Sequence, residues 1–263
     1  MSERIAAAFG RAGDEGRAAL MPYMMGGFPS QDWARAVAGS YADSGADLIE
    51  LGVPFSDPLA DGPVIHAAGT RALAGGATLE GVLETCTLVS DRLPVVLMIY
   101  ANAVLARGPA DFARRSADAG AAGAIVPDLP SGEGEPIRAA MADAGLALIP
   151  MVAPTTPSER RLRICEAAEG FVYVVSLAGV TGERDELAPG LAELVDDVRC
   201  EAAVPAAVGF GIGTPEQAAA VGRVADGVIV GTRLVRAVAD ADDPEAAAEA
   251  VGSFLRASRA AMA

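Results

Sequence analysis

The stretch Asp47-Leu-Ile-Glu50-Leu-Gly-Val-Pro-Phe-Ser-Asp57-Pro-Leu-Ala-Asp61-Gly-Pro63 opens apolar, closes in a Pro/Gly-rich loop, and carries a carboxylate in each part. Its apolar opening, 47–51, is short and nearly continuous rather than alternating, the pattern of a parallel strand buried on both faces. The same unit recurs along the chain. Comparable runs lie at 20–25, 94–100, 123–126, 147–152, 170–175, 205–208 and 227–230, each followed by a loop rich in Gly, Pro or Asp. Amphipathic helices fill the intervals. Ser30 precedes one over 31–44, Thr78 one over 79–92, Pro109 opens 110–119 and Pro157 opens 158–168.

Eight such units over 263 residues predict an α/β fold: a single (β/α)8 TIM barrel spanning residues 1–263. An extra N-terminal helix over 3–12 caps one end, and a terminal helix begins at Pro244. A doubly wound open sheet is the alternative. Charged linkers or low-complexity tracts that would mark a second domain are absent. Chemistry on a barrel belongs at the carboxyl ends of its strands, in the loops that follow.

Composition narrows the chemistry. With 20 basic against 35 acidic residues the net charge is -15, a poor match for the phosphates of nucleic acid or an anionic membrane. All the basic residues are Arg, so no lysine amine exists for a Schiff base. The one histidine, His66, cannot build a His-based metal site, and no metal is expected; its position just past the Asp61 loop reads as surface. Cys86, Cys165 and Cys200 are widely spaced and read as buried thiols in a reducing cytosol. The segment 5–9 is too short for a signal-peptide core, and no apolar run is long enough to span a bilayer. A cytoplasmic location is expected.

Three places could carry chemistry. Glu50 lies in an apolar strand near its carboxyl end, where burial favours the protonated form. It is either satisfied by an Arg or backbone amide, or poised near neutrality for proton transfer. Asp61 is either a turn residue before glycine or the second member of a carboxylate pair whose environments differ. The glycine-rich loops Gly209-Phe-Gly211-Ile-Gly213-Thr214 and Val230-Gly231-Thr232-Arg233 follow the seventh and eighth runs, where barrels commonly bind phosphate through backbone amides. A dinucleotide site fits less well, since its fingerprint belongs in an opening βαβ unit. The segment 176–184, small and polar, reads as a lid, a phosphate contact or an ordinary surface loop.

Taken together, these segments resemble the α subunit family of tryptophan synthase. The resemblance rests on 50–63, on Val180-Thr181-Gly182, on Val208-Gly-Phe-Gly211-Ile212 and on Asp226-Gly-Val-Ile-Val-Gly231-Thr232, in order and spacing; Tyr100-Ala101-Asn102 and Pro127-Asp128-Leu129-Pro130 add to it. It implies retro-aldol cleavage of indole-3-glycerol phosphate to indole and glyceraldehyde 3-phosphate. It also implies an α2β2 heterotetramer whose β subunit carries pyridoxal phosphate, with no cofactor in this chain. By the same resemblance Glu50 is the general acid/base and Asp61 the partner of the indole N–H. Gly182, Gly211, Gly231 and Thr232 hold the phosphate, and Tyr23, Met98, Tyr100, Pro127, Val152 and Thr181 line the indole pocket.

The residue inventory agrees with that chemistry. Cleaving a carbon–carbon bond needs an electron sink, and without a lysine or a His-based metal site the substrate must supply it. Protonating C3 of the indole ring does so. Two sibling barrels fit worse: the indole-forming synthase needs a catalytic lysine, and the anthranilate isomerase a cysteine where Met25 and Gly26 stand. Phe28 and Leu177 depart from residues common in the family, Asp and Arg, and bear on lid closure and partner coupling. A phosphate-binding but catalytically idle subunit and a free-standing lyase are the competing readings.

Overall fold

A computed structural model describes residues 2–176, 189–209 and 211–263. Its strands are β1 (Ala19–Met25), β2 (Ile49–Gly52), β3 (Val95–Met98), β4 (Gly123–Ile125), β5 (Ala147–Ile149), β6 (Met151–Val152), β7 (Val172–Val175), β8 (Ala206–Gly209) and β9 (Gly227–Val230). All pair in parallel, in the order β5-β4-β3-β2-β1-β9-β8-β7-β6. The two ends of that order, β5 and β6, are one stretch of chain interrupted at Pro150. Proline has no N–H for the ladder, but the Pro150 carbonyl accepts from the Tyr173 N–H at 2.9 Å, so pairing passes across the break. The expected strand over 147–152 is thus present in two pieces, and the eight-stranded barrel is nearly closed through it.

Alternation along the strands sorts side chains into two cores. Outward residues such as Ile49, Leu51, Leu97 and Val174 pack beneath the helices. Inward residues such as Met21, Leu48, Val96, Ile149 and Ile229 fill the barrel. Helix α1 (Ser2–Asp14) belongs to the inner core through Ile5, Phe9 and Ala12 and plugs the amino ends of the strands. Phe9 meets Phe171 at 5.7 Å between ring centroids. Gly227 leaves the room this needs, since a Cβ there would stand 2.8 Å from the Phe9 ring. Arg4 ties the plug down by donating to the carbonyls of Ser90, Leu93 and Gly120.

The remaining helices surround the sheet. Those with start signals in the sequence are α2 (Gln31–Asp43), α4 (Leu79–Ser90), α6 (Pro109–Asp118), α8 (Ser158–Glu166) and α12 (Pro244–Met262). Thr78 caps α4 by accepting from the Gly81 N–H at 3.2 Å. Helices α3 (Pro63–Ala74), α5 (Ala101–Arg107), α7 (Glu135–Asp143), α9 (Leu191–Glu201), α10 (Pro215–Gly222) and α11 (Thr232–Ala239) complete the set among the described residues. None of them is long and apolar enough to cross a membrane. One expectation is corrected: Cys86 and Cys165 are buried, but Cys200 is exposed, because it falls on the outer face of α9.

At the amino ends of the strands, Arg17 and Asp47 form a buried bidentate pair, with Arg17 Nη2 to Asp47 Oδ1 at 2.8 Å; Asp47 Oδ2 also accepts from the Leu20 N–H at 2.8 Å. Removing Asp47 takes away both carboxylate bonds to the terminal nitrogens of the buried Arg17 guanidinium and leaves it Glu15 alone as a carboxylate partner, at Nε and 2.9 Å. Asp47→Ala is therefore expected to cost about 3 kcal/mol of stability, read from a denaturant titration, with turnover of the folded fraction unchanged.

Candidate functional site

A cavity of about 680 Å³ opens at the carboxyl ends of the strands and is lined by Glu50, Asp61, Tyr23, Met98, Gly211, Gly231 and Thr232 among others. Glu50 enters it because of strand register. It stands opposite Tyr23 on β1 and Val96 on β3, and period two turns it inward with Leu48 while Ile49 and Leu51 face the helices. It is 2% exposed. Its Oε2 has no hydrogen-bond partner among the described residues. Burial, reinforced by the Asp61 charge, pushes its carboxyl up to about 8. Neither an Arg nor a backbone amide compensates that oxygen, and a buried carboxyl titrating near neutrality is suited to giving and taking a proton.

Asp61 sits on the loop between β2 and α3, half-buried at the same cavity. The Tyr100 hydroxyl donates to its Oδ1 at 2.8 Å and accepts from the Ala60 N–H at 3.1 Å. The Tyr100 ring stacks on Phe55, 5.2 Å between centroids. One phenol at the carboxyl end of β3 thereby pins the loop at both ends. Burial raises the Asp61 carboxyl above its ordinary value, opposed by the Tyr100 hydrogen bond and by the charge of His66. His66 is itself exposed, on α3. Burial and the Asp61 bond also raise the Tyr100 phenol, keeping it a donor.

Another part of the cavity wall is built from glycines and a helix start. Gly211 takes a left-handed φ of 81° that a side chain would disfavour. Gly231 is the N-cap of α11, whose first residue is Thr232. Thr214 and Gln217 form a capping box that fixes the start of α10 alongside. Free amides and a hydroxyl at the start of a helix are what a phosphate needs.

Other sequence-predicted residues fall elsewhere. Tyr100 touches Asp61 rather than the cavity wall. Pro127 lines a neighbouring cavity of about 430 Å³. Val152 is fully buried in the outer core, while Met151, one residue earlier and on the opposite face, lines the site. Thr181, Gly182 and Leu177 lie outside the described residues. Phe28 is buried, with the Arg71 guanidinium of α3 5.6 Å from its ring centroid. Sequence reasoning missed Tyr173, Ile125, Arg233 and Arg236 in the wall. The inward phase of β7 could have marked Tyr173; the arginines resemble any solvated helix face. No three His, Cys, Asp or Glu side chains converge as metal ligands among the described residues.

A parallel barrel with a buried carboxyl, unpaired at Oε2, and a second carboxylate lining one cavity at the carboxyl ends of its strands has the layout of a barrel enzyme. This chain belongs to the tryptophan synthase alpha chain family, whose model matches residues 9–262. That family's known role is cleavage of indole-3-glycerol phosphate, a lyase activity within tryptophan synthase. The chain is 48% identical to the tryptophan synthase alpha chain of Carboxydothermus hydrogenoformans, over 89% of each chain. To that of Roseiflexus castenholzii it is 47% identical, over 96% of this chain and 98% of the relative. Among solved structures, Mycobacterium tuberculosis tryptophan synthase is similar at a TM-score of 0.90, with 36% identity over 98% of each chain. The Legionella pneumophila tryptophan synthase subunit alpha is similar at 0.88, with 36% identity over 98% of each chain.

Proposed function

We propose that this chain, acting as one catalytic domain over residues 1–263, cleaves indole-3-glycerol phosphate in the 680 Å³ cavity, with Glu50 as the proton carrier. The observation that carries this reading is the buried Glu50 carboxyl, uncompensated at Oε2 and pushed up to about 8. Protonated Glu50 delivers its proton to C3 of the indole ring, leaving a cationic indolenine with N–H intact. The Asp61 carboxylate accepts that N–H and stabilises the positive charge. The Glu50 carboxylate so formed takes the proton from the adjacent glycerol hydroxyl. The bond from that carbon to C3 breaks, its electron pair restores the aromatic ring, and indole and glyceraldehyde 3-phosphate are released. Glu50 ends protonated, so the proton count closes.

Phosphate is held by the backbone of Gly211 and Gly231 and by the Thr232 hydroxyl, with Gly182 completing the set. Tyr23 and Met98 line the indole end. Pro127, Val152 and Thr181 belong to its surroundings, and Tyr100 acts by holding Asp61. The chain carries no cofactor or metal of its own: it has no lysine to bind pyridoxal phosphate covalently, and that group resides in a β subunit that receives the indole. The similarity to solved tryptophan synthase structures supports a β-subunit partner; an α2β2 assembly in the cytoplasm is part of the same proposal. Leu59, 88% exposed on the Asp61 loop, gives such a partner an apolar contact beside the site.

The test is indole release from indole-3-glycerol phosphate by this chain alone and with β subunit. Slow release that accelerates with the partner supports the reading; fast release alone indicates a free-standing lyase, and none in either mixture indicates an idle subunit. Gly211→Glu is expected to raise KM steeply by setting a carboxylate against the phosphate, and an unchanged KM removes Gly211 from the phosphate site.

A further inference from the structure

The described charged lining of the cavity consists of four side chains, the carboxylates of Glu50 and Asp61 and the guanidinium groups of Arg233 and Arg236. The two signs come from different elements: the acids from β2 and its loop, the arginines from α11 beside Gly231 and Thr232. Thr232 and Arg236 are four residues apart and so share a face of α11 with Arg233 one turn before Arg236. Arg233 is half-buried and held over the Phe254 ring at 5.5 Å from its centroid. Arg236 is exposed, and its side chain makes no hydrogen bond or ion pair among the described residues; its carbonyl accepts from the Asp240 N–H at 3.0 Å. Its charge is therefore not neutralised by a neighbouring carboxylate, unlike those of Arg35, Arg92, Arg114 and Arg163.

We infer that Arg233 and Arg236 form a cationic end to the cavity that draws in and orients the substrate's phosphate dianion, with Arg233 as the fixed charge and Arg236 as the mobile one. The inference rests on the proposed phosphate substrate. Its physical need is plain, because a chain of net charge -15 with two acids in its site repels a dianion. Backbone amides at Gly211 and Gly231 hold a phosphate already seated but exert little pull at a distance. A guanidinium does both, through long-range attraction and bidentate hydrogen bonding. The separation of charge also sets polarity: phosphate at the α11 end places the indole at the Glu50 and Asp61 end.

The experiment measures binding of inorganic phosphate by calorimetry, and kcat/KM for indole-3-glycerol phosphate at several ionic strengths. It compares wild type, Arg236→Gln, Arg233→Gln, the double variant and Arg236→Lys. Arg92→Gln, which removes an equal charge far from the cavity, is the control, and thermal unfolding checks that each variant folds. The expected result is a loss in phosphate affinity and kcat/KM on the order of tenfold in Arg236→Gln, carried by KM, with a flatter salt dependence. Greater loss is expected in the double variant, with recovery in Arg236→Lys and no change in Arg92→Gln. Phosphate affinity and salt slope equal in wild type and double variant overturn the inference. Failure of wild type to release indole while phosphate binding still depends on the arginines overturns the substrate reading and leaves the anion site standing.

Discussion

Asp61→Asn is expected to abolish measurable indole release while leaving the fold intact. The substitution keeps size and hydrogen-bonding capacity but removes the negative charge that faces the cationic indolenine, and loss of such a stabilising charge costs on the order of 10²–10³ in turnover. Asp61 lies on a loop and is half-buried, so its replacement opens no hole in either core. A second effect separates electrostatics from disruption. The Asp61 charge is one of the two causes that raise Glu50, so the variant's Glu50 carboxyl is expected to titrate below about 8. Carbon-13 NMR of the side-chain carboxyl reads that shift. A large fall in melting temperature, or an unmoved Glu50 titration, contradicts this account of Asp61.

Glu50→Gln is expected to lose catalysis and gain stability together. General acid/base groups contribute roughly 10²–10⁴-fold, so turnover falls by at least the lower figure. The stability gain follows from proton linkage. Glu50 ionises near 4.5 when unfolded but near 8 when folded, so between those values the native state holds the extra proton. Wild-type stability therefore falls as pH rises through that window, by about 3 kcal/mol at neutral pH. Glutamine has no charged form, so the variant lacks that decline: its advantage is absent near pH 4, grows across the window and levels off above 8. Denaturant titrations at pH 4, 7 and 9 measure it. The same ionisation limits activity, because Glu50 must begin protonated and turnover declines as pH rises through about 8.

The barrel is legible in the sequence because parallel strands buried on both faces leave continuous apolar runs, and Glu50 stands out as a charge within one. The break of the fifth run at Pro150 is not, since a proline between apolar residues carries no sign that its carbonyl still joins the ladder. Facing is the weakest point in a two-residue strand such as β6: the choice between Met151 and Val152 depends on a single step of register, which only packing decides. Tyr100 is recognisable as a site residue, but its hold on Asp61 and Ala60 depends on how the loop folds back across β3. Arg233 and Arg236 are hidden for a different reason. On a short amphipathic helix an arginine facing a cavity and one facing solvent have the same local sequence, and closure of the barrel determines which is which.

Glu50 as the proton carrier is tested by indole release from indole-3-glycerol phosphate, compared between wild type and Glu50→Gln, each saturated with β subunit. Wild type is expected to release indole and the variant none above background, even though the variant is the more stable protein at neutral pH. Release by Glu50→Gln at a rate near wild type would contradict that role and require another group to carry the proton.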